Sequence, residues 1–342
     1  WMGQRFEQFL TESNGGNDIQ KLLGSVTAIV ISPNINVSFY WSPTGAIYLN
    51  PDVFWLTPQE RDGLIEQVDY RNDFGSELSF LTPWRYVQNG QYVSFFYPPN
   101  ERITRLASDI WPDVASLLYH ELAHANDFLP AAQRNQLDGA GVLADEIVYR
   151  RPQSDQLSAQ YPLQSATLSQ IAAVNFEGIA PNTSLIALTP SDISRLFFTD
   201  QANDFYNFVD TREDFAMLFE ESMMKLRYHL DRDVAVTSTS AHGTRDEWLV
   251  TQGQRNRIAD PQVAVRAKWV VQATLPSASM AMSTLLDTLQ PTALCQGRRW
   301  DNTLNTNCAV NGLQRPQPHT GRRPASPWMR TADLPLQRVQ DH

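Results

Sequence analysis

Apolar positions along the chain fall into two repeats, one helical and one alternating. Ile110, Val114, Leu117, Leu118 and Leu122 recur at the three-to-four spacing of a buried helical stripe. Ser108 or Asp109 can cap this helix, Pro112 is tolerated in its first turn, and Pro130 stops it. A second stripe runs through Phe215, Leu218, Phe219, Met223, Leu226 and Leu230. Thr211-Arg212-Glu213-Asp214 reads as a capping box that opens it. Further helices are predicted over 1–24, from Thr57 to about Asp69, over Ala166–Phe176 and Pro190–Phe198, and over roughly Val263–Gln290. Runs rich in β-branched and aromatic residues predict strands at Val26–Ile31, Val37–Trp41, Gly45–Leu49 and Gln91–Tyr97.

Helices and strands in this mixed order predict an α+β fold. The 342 residues suffice for a large core. Residues 1–290 are expected to form one catalytic-sized domain, with 131–205 as an insertion between the two striped helices. Residues 291–342 carry Pro316, Pro318, Pro324, Pro327 and Pro335 and read as a proline-rich tail. Cys295 and Cys308 lie close together in that tail and predict one disulfide, hence an oxidising compartment, periplasmic or extracellular. The chain starts at Trp1, so a signal or lipid anchor removed from its front is also expected. A formal charge of −10 gives no basic footprint for nucleic acid. No apolar run approaches the roughly 18 residues of a membrane span.

The first striped helix holds His120-Glu121-Leu122-Ala123-His124, a match to H-E-x-x-H. Two imidazoles one turn apart face the same way, as two ligands of one Zn²⁺ must. The intervening carboxylate can take a proton from a water on that metal, whose pKa zinc lowers to about 7. A catalytic zinc needs a third protein ligand. The metzincin pattern supplies it from a third His after a Gly, but Asp127 and Pro130 stand at those places. The third ligand therefore comes from elsewhere in the chain.

HELAH followed by Ala125-Asn126-Asp127-Phe128, together with Tyr206 and Glu213-Asp214-Phe215-Ala216, resembles the gluzincins, the HExxH metallopeptidases with a Glu as third ligand. The resemblance is to the branch of anthrax lethal factor and the Pro-Pro endopeptidases, and it covers two helices and the loop before the second. It implies a zincin-like fold in which an active-site helix, a small flanking sheet and a second ligand-bearing helix surround the metal. It also implies that His120, His124 and Glu213 bind zinc, that Glu121 is the general base, and that Tyr206 stabilises the oxyanion. The acid usually found after the aromatic-Ala pair is replaced by Met217. Glu220, seven residues beyond Glu213, can support the centre or replace Glu213 as ligand. Asp127 and Asp214 can orient the histidines or serve as a helix-end charge and a cap. Tyr228 and His229 can approach the cleft, and Trp84 and Trp111 can line it.

The expected activity is zinc-dependent hydrolysis of a peptide or protein substrate, which binds by strand addition to Gln91–Tyr97 or Gly45–Leu49. The alternatives are a zincin-fold binding or scaffold protein with little turnover, and an amidase acting on peptidoglycan.

Overall fold

The computed structural model describes residues 1–64, 71, 73–97, 100–137, 143–148, 150–238, 248–306 and 308, and the backbone of 323–324. Helices and strands are mixed in an α+β arrangement. The chain opens with α1 (Met2–Glu12) and α2 (Gly16–Leu22), then β1 (Ala28–Ile31), β2 (Phe39–Trp41), β3 (Ala46–Leu49) and α3 (Pro58–Asp62). Four short strands follow: β4 (Phe80–Leu81), β5 (Trp84–Gln88), β6 (Gln91–Tyr92) and β7 (Phe95–Phe96). The helical middle comprises α4 (Ala107–Phe128), α5 (Leu143–Val148), α6 (Gln153–Gln160), α7 (Ala166–Glu177), α8 (Thr183–Ile186), α9 (Pro190–Thr199) and α10 (Thr211–Tyr228). The last part holds β8 (Asp231–Ser238), β9 (Leu249–Arg255), α11 (Pro261–Thr274), α12 (Pro276–Thr288), β10 (Thr292–Ala293) and β11 (Arg323–Pro324).

Helices α4 and α10 pack along each other and form the centre of the molecule. The apolar stripes of both enter one large core with Phe9, Tyr40, Ile47 and the inner faces of α11 and α12. Two sheets flank this pair. The first has the order β1-β3-β2, with β1 parallel and β2 antiparallel to β3. The second runs β10-β9-β8-β5-β6, with β4 also on β8. Strand β8 is buried on both faces. Val234 and Val236 join the core built by α7 and α9, while Ala235 faces Trp248, Leu294 and Trp300. The segment 131–205 is thus bound to the rest through both cores: Ile147 and Leu157 enter the main one, and α7 and α9 share the second with Phe80, Val234 and Val236.

Several predicted elements are divided or shortened, each for a local reason. The helix expected over 1–24 is two helices joined at Ser13–Gly15. A side chain on Gly16 would put its Cβ 2.2 Å from the Leu10 carbonyl oxygen, so glycine is required where the helices meet. The helix expected over 263–290 breaks at Leu275 because Pro276 has no N–H to continue it. Helix α3 starts at the predicted Thr57–Glu60 capping box and ends at Asp62, while 65–70 lies outside the described residues. Helix α4 starts at Ala107, ahead of both candidate caps. Asp109 instead accepts the Leu106 N–H at 3.0 Å, and Pro112 lies inside the helix.

Two expectations are corrected. Gly45–Leu49 is the middle strand of its sheet, paired on both sides, and so has no free edge for a peptide. Gln91–Tyr97 is two short strands, and β7 pairs with the backbone of β11. The sheet also does not stop at residue 290: β10 pairs with β9, and Trp300 is fully buried. Arg85 lies 4.0 Å over the Trp300 ring and donates to its carbonyl at 2.9 Å and to Thr303 at 2.8 Å. Cys295 and Cys308 are disulfide-bonded.

The cap of α10 is the residue before the predicted one. Asp210, not Thr211, accepts the N–H groups of Arg212 (2.7 Å) and Glu213 (2.9 Å). We therefore expect Asp210→Ala to lower the urea-unfolding free energy by about 1 kcal/mol, the usual loss for a helix cap. Thr211→Ala should change it by less than about 0.5 kcal/mol. The reverse order of the two variants would assign the cap to Thr211.

Candidate metal centre

The i, i+4 spacing on α4 puts His120 and His124 on one face, with ring centroids 4.9 Å apart. Packing of α4 on α10 brings Glu213 to the same point. His120 Nε2 is 3.1 Å from Glu213 Oε2, the two Nε2 atoms are 3.2 Å apart, and His124 Nε2 is 3.6 Å from Glu213 Oε2. All three residues are buried. Zinc bonds of about 2.0–2.1 Å at tetrahedral angles hold ligand atoms about 3.3 Å apart, and the three separations bracket that value. Two imidazole nitrogens and a carboxylate oxygen are also a donor set that suits Zn²⁺. The group fits a tetrahedral ion with three protein ligands.

Glu121, between the two histidines, is fully buried as well. Tyr206 arrives on a short 3-10 turn ahead of α10, and its ring centroid is 6.2 Å from that of His120. Phe176, at the end of α7, meets the Tyr206 ring edge-on at 4.8 Å. The segment 131–205 therefore supplies a ring that packs on Tyr206. All five residues singled out in the sequence, His120, Glu121, His124, Tyr206 and Glu213, are buried in this region.

Glu220 is placed as a support. Its Oε2 lies 3.3 Å from His120 Nδ1, while Glu213 faces Nε2 of the same ring. One helix thus sets a carboxylate against each nitrogen of His120, Glu220 beside Nδ1 and Glu213 beside Nε2. The other Glu220 oxygen accepts hydrogen bonds from Ser116 (2.5 Å) and Tyr86 (3.1 Å). Burial would raise the Glu220 carboxyl, but the bond from His120, the Arg232 charge and the bond from Ser116 bring it below its ordinary value.

The other candidates have different partners. Asp127 accepts the Ser154 N–H at 2.6 Å and hydroxyl at 2.7 Å, and burial pushes its carboxyl up to about 6. Asp214 neither caps its helix nor holds an imidazole: it pairs with Arg266 and accepts from Asn207 at 2.8 Å. Tyr228 packs beside Gly15 and Tyr119, and His229 is the left-handed C-cap of α10 (φ 56°). Trp111 packs edge-on against Phe9, and Trp84 packs against Tyr86 under the Arg232 guanidinium. Arg232 and Asp204, both buried beside these groups, were not singled out from the sequence. A charged triplet at a helix–strand junction, Asp231-Arg232-Asp233, gives no sign of being buried.

The chain matches no protein-family model, and no curated protein and no solved structure matches it. Among the described residues, no helix is long and apolar enough to cross a membrane.

Glu221 gives the region a pH dependence. Its carboxyl is buried and pushed up to about 7, because loss of hydration outweighs the Arg232 charge and the hydrogen bond from Asn203. Between about pH 4.5 and 7 the folded chain keeps a proton that the unfolded chain releases. This contribution to stability is full below pH 4.5 and lost as pH rises through 7, on the order of 3 kcal/mol at most. Glu221→Gln should flatten the fall in unfolding free energy between pH 5 and pH 7.5. Parallel wild-type and variant curves would show that Glu221 does not titrate in this range.

Proposed function

We propose that this protein is a zinc-dependent peptidase with a zincin-like active site, acting on peptides or proteins. The observation that carries the reading is the convergence of His120, His124 and Glu213, with Glu121 beside them and the Tyr206 ring against His120. The disulfide supports work in an oxidising compartment, outside the cytoplasm.

His120 and His124 would hold the ion through neutral imidazole nitrogens, and Glu213 through a carboxylate oxygen. A zinc ion there supplies Lewis acidity at the substrate carbonyl and makes water acidic enough to ionise near neutral pH. Glu121 takes the proton of the attacking water as its oxygen bonds to the scissile carbon. The same carboxyl then passes that proton to the departing nitrogen, so the C–N bond breaks to give an acid and an amine. Tyr206 donates a hydrogen bond from its hydroxyl to the carbonyl oxygen as negative charge develops there. Glu220, 3.3 Å from His120 Nδ1, would hold the far side of the ring and keep the imidazole aimed.

Purified chain is expected to carry one zinc per molecule by elemental analysis and to cleave members of a generic peptide library. Glu121→Ala should keep the zinc and lose at least about 10² in turnover. Glu213→Ala should lose the zinc. Stoichiometric zinc with no cleavage by wild type would leave a binding protein as the better reading. Absence of zinc would remove both.

A further inference from the structure

Arg232 joins two groups that the proposed reaction uses separately. It stands at the start of β8, 1% exposed, where no water can answer its charge. Its Nη2 donates to Asp204 Oδ2 at 2.8 Å, and Asp204 Oδ1 accepts the Tyr206 N–H at 2.9 Å. That arm fixes the turn carrying Tyr206. Its Nη1 lies 3.4 Å from the Tyr86 hydroxyl and 3.7 Å from Glu220 Oε1. Tyr86 donates to the same Glu220 oxygen at 3.1 Å, and Glu220 Oε2 stands against His120 Nδ1. This second arm ends at a ligand of the candidate metal. The guanidinium also lies over the Trp84 ring, 4.1 Å from its centroid, so both arms start from one planar group that is itself packed.

We infer that Arg232 is a positioning residue that sets the oxyanion-side turn of Tyr206 and the metal-side ring of His120 in one mutual geometry. The inference rests on the proposed roles of His120 and Tyr206. Lysine cannot reproduce it, because one ammonium on a flexible stem reaches Asp204 or Glu220 but does not fork between them. Asp204 is the diagnostic partner. It reaches the Nδ1 side of His120 through Arg232, Tyr86 and Glu220, and the other route to that ring, through Tyr206, does not pass through Glu220.

The test measures zinc affinity by chelator competition, kcat and KM at saturating zinc, and thermal midpoint, on the full chain. Arg232→Lys should weaken zinc binding about tenfold, the usual effect of losing support to a ligand. It should also lower kcat about tenfold with little change in KM. Asp204→Asn keeps an acceptor for the Tyr206 N–H but removes the charge that anchors Arg232. It should weaken zinc binding several-fold, and that effect should vanish in a Glu220→Gln background. A folded Arg232→Lys with a lowered thermal midpoint but wild-type zinc affinity and kcat would overturn the inference. If Arg232→Lys does not fold, wild-type zinc affinity in Asp204→Asn overturns it instead. A wild type that binds zinc and cleaves nothing defeats the peptidase reading alone, since the zinc affinities still decide the arm to His120. A wild type that binds no zinc defeats both.

Discussion

A carboxylate removed from water must be answered by a cation or by several donors, and α10 buries four of them. Glu213, Asp214, Glu220 and Glu221 are each 5% exposed or less. Much of the surrounding architecture meets that demand. Arg266 comes from α11 for Asp214, and Arg232 comes from β8 for Glu220 and Glu221. Asn203 and Asn207 turn the preceding loop inward to donate to Glu221 and Asp214. Glu213 faces the two histidines of α4. The position of the loop, the strand and the flanking helix thus follows from the charges on one helix face.

The same demand accounts for the basic residues chosen. Lysine occurs only at Lys21, Lys225 and Lys268, so 24 of the 27 basic residues are arginine. Arg232, Arg257 and Arg266 are among the largest fully buried side chains, and Arg85 is nearly as enclosed. A guanidinium keeps its charge when buried and forks between acceptors, which an ammonium does not. Arg257 shows the second property through neutral acceptors. It donates to the carbonyls of Ala202, Phe197 and Asp200, and so ties α9 and the loop before α10 to the far side of the sheet.

What could be read in the sequence was local. HELAH needed only the 3.6-residue period, and the two striped helices needed only the spacing of their apolar residues. The first three strands were visible as β-branched runs between turn residues. Strands β8 and β9 were not, because β8 begins with Asp231-Arg232-Asp233, which reads as solvent-facing. Arg232 and Asp233 are buried because Arg85 and Arg255 meet Asp233, and Asp204 meets Arg232, from 22 or more residues away in the chain. Likewise the choice of Glu220 as support for His120 depends on the crossing of two helices, which no periodicity records. Thr211 was a reasonable cap by pattern, but the short-range geometry at Asp210 serves two N–H groups where one was expected.

His120 and Glu213 are separated by 93 residues, and the helices between them fold onto β8, which is made later still. A chain leaving the ribosome therefore presents two histidines long before it presents the carboxylate or the arginine that steadies them. With two ligands, affinity for a metal is weak, so an ion met early can be shed again. Tight capture of the proposed zinc would belong to the last stage of folding, after the intervening helices have closed on the sheet, and a zinc-loaded molecule would by that logic be one that has finished folding.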